Sequence, residues 1–144
     1  MHLPVRLLTT TARMPTRAHD DDAAFDLHAD EALTLAPGQR TAVRTGLALS
    51  LTPATAGLVL PRSGLAAKHG ITVLNAPGLI DPGYRGEIMA ILLNTDSSQP
   101  FQVRLGDRIA QLLIIDLLAV TMTSVDGDLQ TTARGANGFG STGR

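Results

Sequence analysis

Pro61-Arg62-Ser63-Gly64-Leu65-Ala66 brings a guanidinium, a hydroxyl and a glycine together where an apolar run gives way to a short helical pattern. A guanidinium beside free backbone N–H groups makes an anion site, and a glycine lets the backbone approach phosphate oxygens that a Cβ would hold off. The same residues also suit an ordinary strand-to-helix turn in which Ser63 only caps the helix. Downstream, two Pro-Gly turns bracket Leu79-Ile80 in Asn75-Ala76-Pro77-Gly78-Leu79-Ile80-Asp81-Pro82-Gly83-Tyr84-Arg85-Gly86-Glu87. Pro at the second and Gly at the third position of Asp81-Pro82-Gly83-Tyr84 predict a type II turn with positive φ at Gly83. Such a turn places a carboxylate and the chain's only tyrosine at one hairpin mouth, where Asp81 is either a plain turn residue or a base. Gln111 falls in an apolar run, on a face with Ile109, Leu113 and Ile115. Its amide must bond either to neighbouring backbone or to a ligand. At the C-terminus, residues 134–144 combine Arg134, Phe139, Gly140, Ser141, Thr142 and Arg144 with further glycines. That composition suits an arm that wraps an anion, or a tail without fixed structure. His19-Asp20-Asp21-Asp22, with Asp26 and His28, lacks the spacing of a hard-cation cage and reads as a solvated acidic loop.

The elements that must position these groups are short. Residues 3–8, 41–51, 58–60, 71–74, 87–94, 101–103 and 108–116 read as strands, several with period-two alternation. Turn pairs such as Pro37-Gly38, Pro77-Gly78, Pro82-Gly83 and Gly106-Asp107 separate them too closely for a long helix. The one helical candidate is residues 63–69, with Ser63 at the N-cap and Gly70 as the stop. An all-β domain over residues 1–125 follows. From Asp126 onward the only large apolar residues are Leu129 and Phe139, so residues 126–144 form a flexible C-terminal arm with no core of its own.

The 144 residues suit one domain. Aromatics are only 3% of the chain and Trp is absent, so the core must be built from Val, Ile, Leu and Ala. With 12 Lys+Arg against 13 Asp+Glu, no global field draws the protein to nucleic acid or to an anionic membrane, and a polyanionic ligand must be held locally. No cysteine is present for disulfides or thiolate chemistry. The first residues lack the apolar run of a signal peptide and no stretch has the length of a membrane span, so a cytoplasmic location is expected.

Taken in order, Ala24-Phe25-Asp26-Leu27, Pro61 to Ala66, Leu74 to Asp81 running into Tyr84-Arg85-Gly86-Glu87, Gly106-Asp107-Arg108-Ile109-Ala110-Gln111-Leu112, and Arg134-Gly135 through Gly138-Phe139-Gly140-Ser141-Thr142-Gly143 resemble the five motifs of the trimeric dUTPase family. The resemblance implies a distorted jelly-roll β-barrel assembled as a homotrimer with active sites at subunit interfaces. It also implies hydrolysis of dUTP to dUMP and pyrophosphate, which keeps dUTP low and supplies dUMP for thymidylate synthesis. In that scheme Asp81 activates the water that attacks the α-phosphorus, while Arg62, Ser63, Gly64 and Gln111 hold the phosphates. Asn75 and its hairpin read the uracil edge and Tyr84 packs on the deoxyribose. Arg134, Ser141 and Thr142 close over the outer phosphates, Gly140 lies among them in the binding arm, and Phe139 covers the base. Mg2+ rides mainly on the triphosphate, with Asp26 supporting that region indirectly. A related fold, the dCTP deaminase, would carry Glu at the position of Asp81. Two residues depart from the family pattern, Ala24 and Asn137, each standing where glycine is usual; Asn is the residue that best tolerates the left-handed backbone region.

Overall fold

A computed structural model of the chain describes residues 2–136. Its elements run β1 (Val5–Leu7), β2 (Phe25–His28), β3 (Leu33–Leu35), β4 (Arg40–Leu49), β5 (Thr55–Leu60), α1 (Ser63–His69), β6 (Ile71–Val73), β7 (Gly78–Ile80), β8 (Ile88–Asn94), β9 (Phe101–Val103) and β10 (Arg108–Asp116). One antiparallel sheet has the order β1-β4-β8-β6, a second has β2-β10-β5-β7, and β3 pairs with β9. Sequence neighbours are seldom sheet neighbours, so the chain crosses repeatedly between the sheets as a distorted jelly roll.

Period-two alternation drives the packing. On β8, Ile88, Ala90, Leu92 and Asn94 point inward while Met89 is exposed. They meet Val43 and Leu47 of β4, Val59 of β5, and Ala110 and Leu112 of β10 in one core made of Leu, Ile, Val and Ala, as the scarcity of aromatics predicts. The buried Asn94 is satisfied on both ends. Its Nδ2 donates to Leu35 O at 3.1 Å and Gln99 O at 2.9 Å, and its Oδ1 accepts Asp96 N–H at 3.0 Å, which ties β8 to the β3–β9 pair.

Three short strands, β2, β3 and β7, are additions to the sequence reading. Length alone does not separate them, since the equally short β1, β6 and β9 fall in runs expected as strands; β2, β3 and β7 are defined by their partners β10, β9 and β5. The helix spans the predicted residues, but its N-cap is Arg62, extended at φ −94 and ψ 126, with no side-chain cap. Ser63 is therefore the first helical residue and its hydroxyl does not serve as the cap. Gly70 ends the helix in the left-handed region, as expected, and its N–H reaches Ala66 O at 3.1 Å. The turn after Ile80 is closed by Tyr84 N–H donating to Asp81 O at 3.0 Å, yet Gly83 is not among the glycines with positive φ. The type II expectation is corrected: Pro at the second position serves a type I turn equally well, and glycine tolerates that geometry without requiring the other. The face expected for Gln111 also changes. A register shift between Arg108 and Ala110 lets Ile109 and Ala110 both be buried, so Gln111 shares its outward face with Leu113 and not with Ile109.

Candidate functional site

Two clefts collect the chemically active residues. The first forms where β5 stops. Pro61 cannot donate to a ladder, so the strand ends and the chain turns through Arg62 into α1. In the adjoining strands Asp26, Gln111 and Leu60 lie side by side, Asp26 paired with Gln111 and Gln111 with Leu60. The Asp26 backbone is held from its other side by its N–H, which donates to Thr16 O at 2.7 Å. On this row sits a cleft of about 410 Å3 lined by Asp26, Arg62, Ser63, Gly64, Arg108 and Gln111 together with Asp22, Ala23 and Ala24.

Asp26 organises it. Its Oδ1 meets Arg62 Nε at 3.1 Å and its Oδ2 meets Arg108 Nη1 at 3.0 Å. Arg62 Nη1 donates to Arg108 O at 3.0 Å, so the first guanidinium is fixed at two points. Gln111 Nε2 donates to Pro61 O at 2.8 Å, the backbone alternative left open by the sequence, while its side chain still lines the cleft. Two guanidiniums around one carboxylate leave local positive charge, which is what an anion site needs. A Cβ on Gly64 would meet nothing within 4 Å and its φ lies outside the left-handed region. Neither packing nor backbone conformation among the described residues requires glycine there, and its bare backbone leaves room for close approach from the cleft.

The second cleft, of about 260 Å3, is lined by Asn75, Leu79, Ile80, Asp81, Tyr84 and Glu87 from the hairpin and by Ala42, Met89 and Ile91 from β4 and β8. Asp81 is exposed at its mouth. Tyr84 Oη donates to Glu87 O at 2.9 Å. The Glu87 carboxylate accepts Gly46 N–H at 2.8 Å and lies 3.2 Å from Arg44 Nε, anchoring the end of the hairpin to the β4 bulge. That bulge needs glycine, because Gly46 has φ +66 and a Cβ there would press on Asp30 and Ala12 at 2.6 Å.

The fold keeps the two clefts apart. Ile80 pairs with Gly57, so Asp81 leaves β7 toward the start of β5, whereas Arg62 follows the end of β5. Five residues of strand separate those levels, and at about 3.3 Å per residue the two groups lie on the order of 15–20 Å apart. Arg134 is exposed. Phe139, Gly140, Ser141 and Thr142 lie outside the described residues. Arg108 was missed as a site residue by sequence reasoning. The signal available was a lone Asp26 on a strand that must find a counter-charge if it faces a cleft for anions.

Behind the first cleft, His28 pairs with Arg108 across β2 and β10, and its Nδ1 is buried without a hydrogen-bond partner among the described residues. Burial holds its pKa below the ordinary imidazole value, with Arg13 adding to the effect, Asp26 opposing it and Arg108 and Arg62 reinforcing it. The unfolded chain then binds a proton that the folded one refuses, so this residue costs stability as pH falls through about 6.5 toward the lowered folded value. Urea midpoints measured at pH 8 and pH 5.5 should fall more steeply for the native chain than for His28→Gln. Parallel falls would remove His28 as the source.

Known proteins resemble this chain in sequence and in fold. A family model described as dUTPase matches residues 10–143. A deoxyuridine 5'-triphosphate nucleotidohydrolase of Thermobifida fusca is 50% identical over 143 residues, covering 99% of this chain and 79% of that protein. Among solved structures, the Staphylococcus bacteriophage 80alpha dUTPase with dUPNHPP superposes with TM-score 0.92 at 28% identity, covering 99% of each chain. A mutant dUTPase from phage phi11 of S. aureus, whose structure describes coordination of a structural Mg(II) ion, gives TM-score 0.82 at 27% identity over 88% of this chain and 98% of its own.

Proposed function

The chain belongs to the dUTPase family of nucleotide hydrolases, and from that premise we propose that it hydrolyses dUTP to dUMP and pyrophosphate through a water activated by Asp81. The observation that carries this reading is the pair of clefts, one lined by two arginines, Ser63 and Gly64 and one presenting a carboxylate beside a hollow of about 260 Å3. Arg62, Ser63, Gly64 and Gln111 hold the triphosphate, and Asp26 keeps Arg62 and Arg108 aimed at it. Asn75 and the hairpin backbone read the uracil edge, Tyr84 packs on the deoxyribose, and Asp81 takes the proton of the attacking water. Phosphoryl transfer asks for little more than a positioned nucleophile and neutralised oxygens, so no covalent intermediate is needed. Arg134, Phe139, Gly140, Ser141 and Thr142 close the site from the C-terminal arm.

The residues of the first cleft fit Mg2+ carried by the substrate. Asp26 is already engaged by two guanidiniums and Asp22 accepts the His19 N–H, so what the cleft offers is binding for anions. A triphosphate would bring its own oxygens for the ion, whose charge would offset that of the phosphates.

Asp81 and Arg62 of a single chain stand too far apart to meet at one α-phosphorus, which supports a site shared between copies in a homotrimer. Leu118, Val120 and Met122, extended beyond β10 and largely exposed, are further apolar surface for such an assembly to cover. Co-refolding inactive Asp81→Asn and Arg62→Ala chains in equal amounts should restore about a quarter of the native sites, since one interface in four then combines an intact Asp81 with an intact Arg62. No recovery would place both residues in one chain's site. The activity itself is tested by pyrophosphate release from dUTP beside dTTP, dCTP and UTP. Release from dUTP alone is expected, and equal release from all four would overturn the reading.

A further inference from the structure

Gly86 has no backbone reason to be glycine. Its φ lies outside the left-handed region, yet a Cβ built on it would fall 2.6 Å from Cζ and 3.0 Å from Cε2 of Tyr84, with the phenol oxygen closer still. What excludes a side chain at this position is therefore the Tyr84 ring. The ring folds back along its own chain over the bare backbone of Gly86, and its Oη reaches Glu87 O at 2.9 Å. Glu87 is in turn fixed by Gly46 N–H and Arg44 Nε. Tyr84 is 43% exposed, so packing against the core does not choose its rotamer. The glycine beneath the ring and the carbonyl at its far end do.

We infer that Gly86 is a specificity-determining residue: it sets the position of the Tyr84 ring and, through it, the preference for deoxyribose over ribose. The inference rests on the reading that Tyr84 packs on the sugar. A methyl group at position 86 would displace the phenol and break its bond to Glu87 O. It meets only the end of one side chain on an exposed loop, so the fold accommodates it and the effect appears in substrate choice.

The test is kcat/KM for dUTP and for UTP in the native protein, Gly86→Ala, Tyr84→Ala and the double variant, each checked for melting temperature and assembly. Gly86→Ala should lower the dUTP-to-UTP ratio roughly 10-fold, the scale of one lost steric contact. The double variant should match Tyr84→Ala within about two-fold, because a residue that acts only through Tyr84 has nothing to act on once the ring is gone. Tyr84→Phe, which frees the far end of the ring and leaves Gly86 in place, should shift the ratio in the same direction by a smaller factor. If the alanine variant assembles poorly, an unchanged ratio in Tyr84→Phe would overturn the claim that ring placement sets the sugar preference. An unchanged ratio in Tyr84→Ala would sink the sugar reading itself. A changed ratio there with none in Gly86→Ala, or effects that multiply independently in the double variant, would overturn the role of Gly86.

Discussion

Asp81→Asn should remove nearly all turnover, on the order of 10²–10⁴-fold, while leaving binding of a non-hydrolysable dUTP analogue within about an order of magnitude. Asparagine keeps the shape of the side chain and cannot accept a proton. The residue is exposed at the hairpin mouth, where Pro82 restrains the backbone and the turn is closed by Tyr84 N–H donating to Asp81 O, with Arg85 Nη1 donating to Pro82 O at 2.7 Å and Tyr84 O at 2.8 Å. Nothing in that turn depends on the charge of the carboxylate, so a loss of rate would report chemistry and not collapse of the loop. Single-turnover measurements separate the proton-transfer step from product release, and titration with the analogue gives binding independently. Turnover near the native rate would remove Asp81 from the mechanism. Loss of rate accompanied by an equal loss of binding would recast it as a residue that holds substrate.

The same loop shows where sequence alone carries an argument and where it does not. Pro and Gly between Asp81 and Tyr84 announce a turn, because their backbone preferences are local, and the turn is there. Its type was not legible, since Pro-Gly serves two geometries and the choice falls to the strands on either side. The long strands β4, β8 and β10 could be read from alternation over many residues, and so could a core without Trp or Tyr. The three-residue strands β6 and β9 could also be read, as continuous apolar or alternating runs, whereas β3 and β7, between turn residues, show themselves only through their pairing with β9 and β5. The extra residue that turns Ile109 inward beside Ala110 is a bulge against β2, invisible until the partner is placed.

The site divides in the same way. Arg62, Ser63, Gly64 and Gln111 stand together as expected, and so do Asn75, Asp81 and Tyr84. What residue types could not convey is that Asp26 binds two guanidiniums at once, or that the two groups leave opposite ends of β5. Both are consequences of strand register. The first joins Asp26 to Arg62 and Arg108 in one charged cluster, compatible with the indirect supporting role expected of it. The second sets Asp81 and Arg62 of one chain apart by roughly the length of β5.

A chain stopped at Ala133 should fold, assemble as a trimer and melt at nearly the native temperature, yet lose on the order of 100-fold or more of its kcat. The stability half of this follows from packing. The last strand ends at Asp116, the core takes no residue beyond Leu112 apart from the partly buried Ile114, and the described residues after 116 are exposed and outside any sheet. Residues 134–144 are too polar and too rich in glycine to add apolar burial. The catalytic half follows from what the cleft lacks. Among the described residues its two guanidiniums already share one carboxylate, so in the proposed reaction the outer phosphates call for a further cation and a cover against water. Arg134 supplies the charge in this proposal, Ser141 and Thr142 the hydroxyls, and Phe139 the lid over the base. Trypsin cleavage after Arg134 should slow when a non-hydrolysable dUTP analogue and Mg2+ are added to the intact protein, because a closed arm withholds that bond from the protease. Size-exclusion chromatography, thermal melts and steady-state kinetics of the truncated chain complete the test. Full activity in a truncated trimer would end the closing-arm mechanism, whereas a monomeric or unfolded product would show that residues 134–144 belong to the folded body.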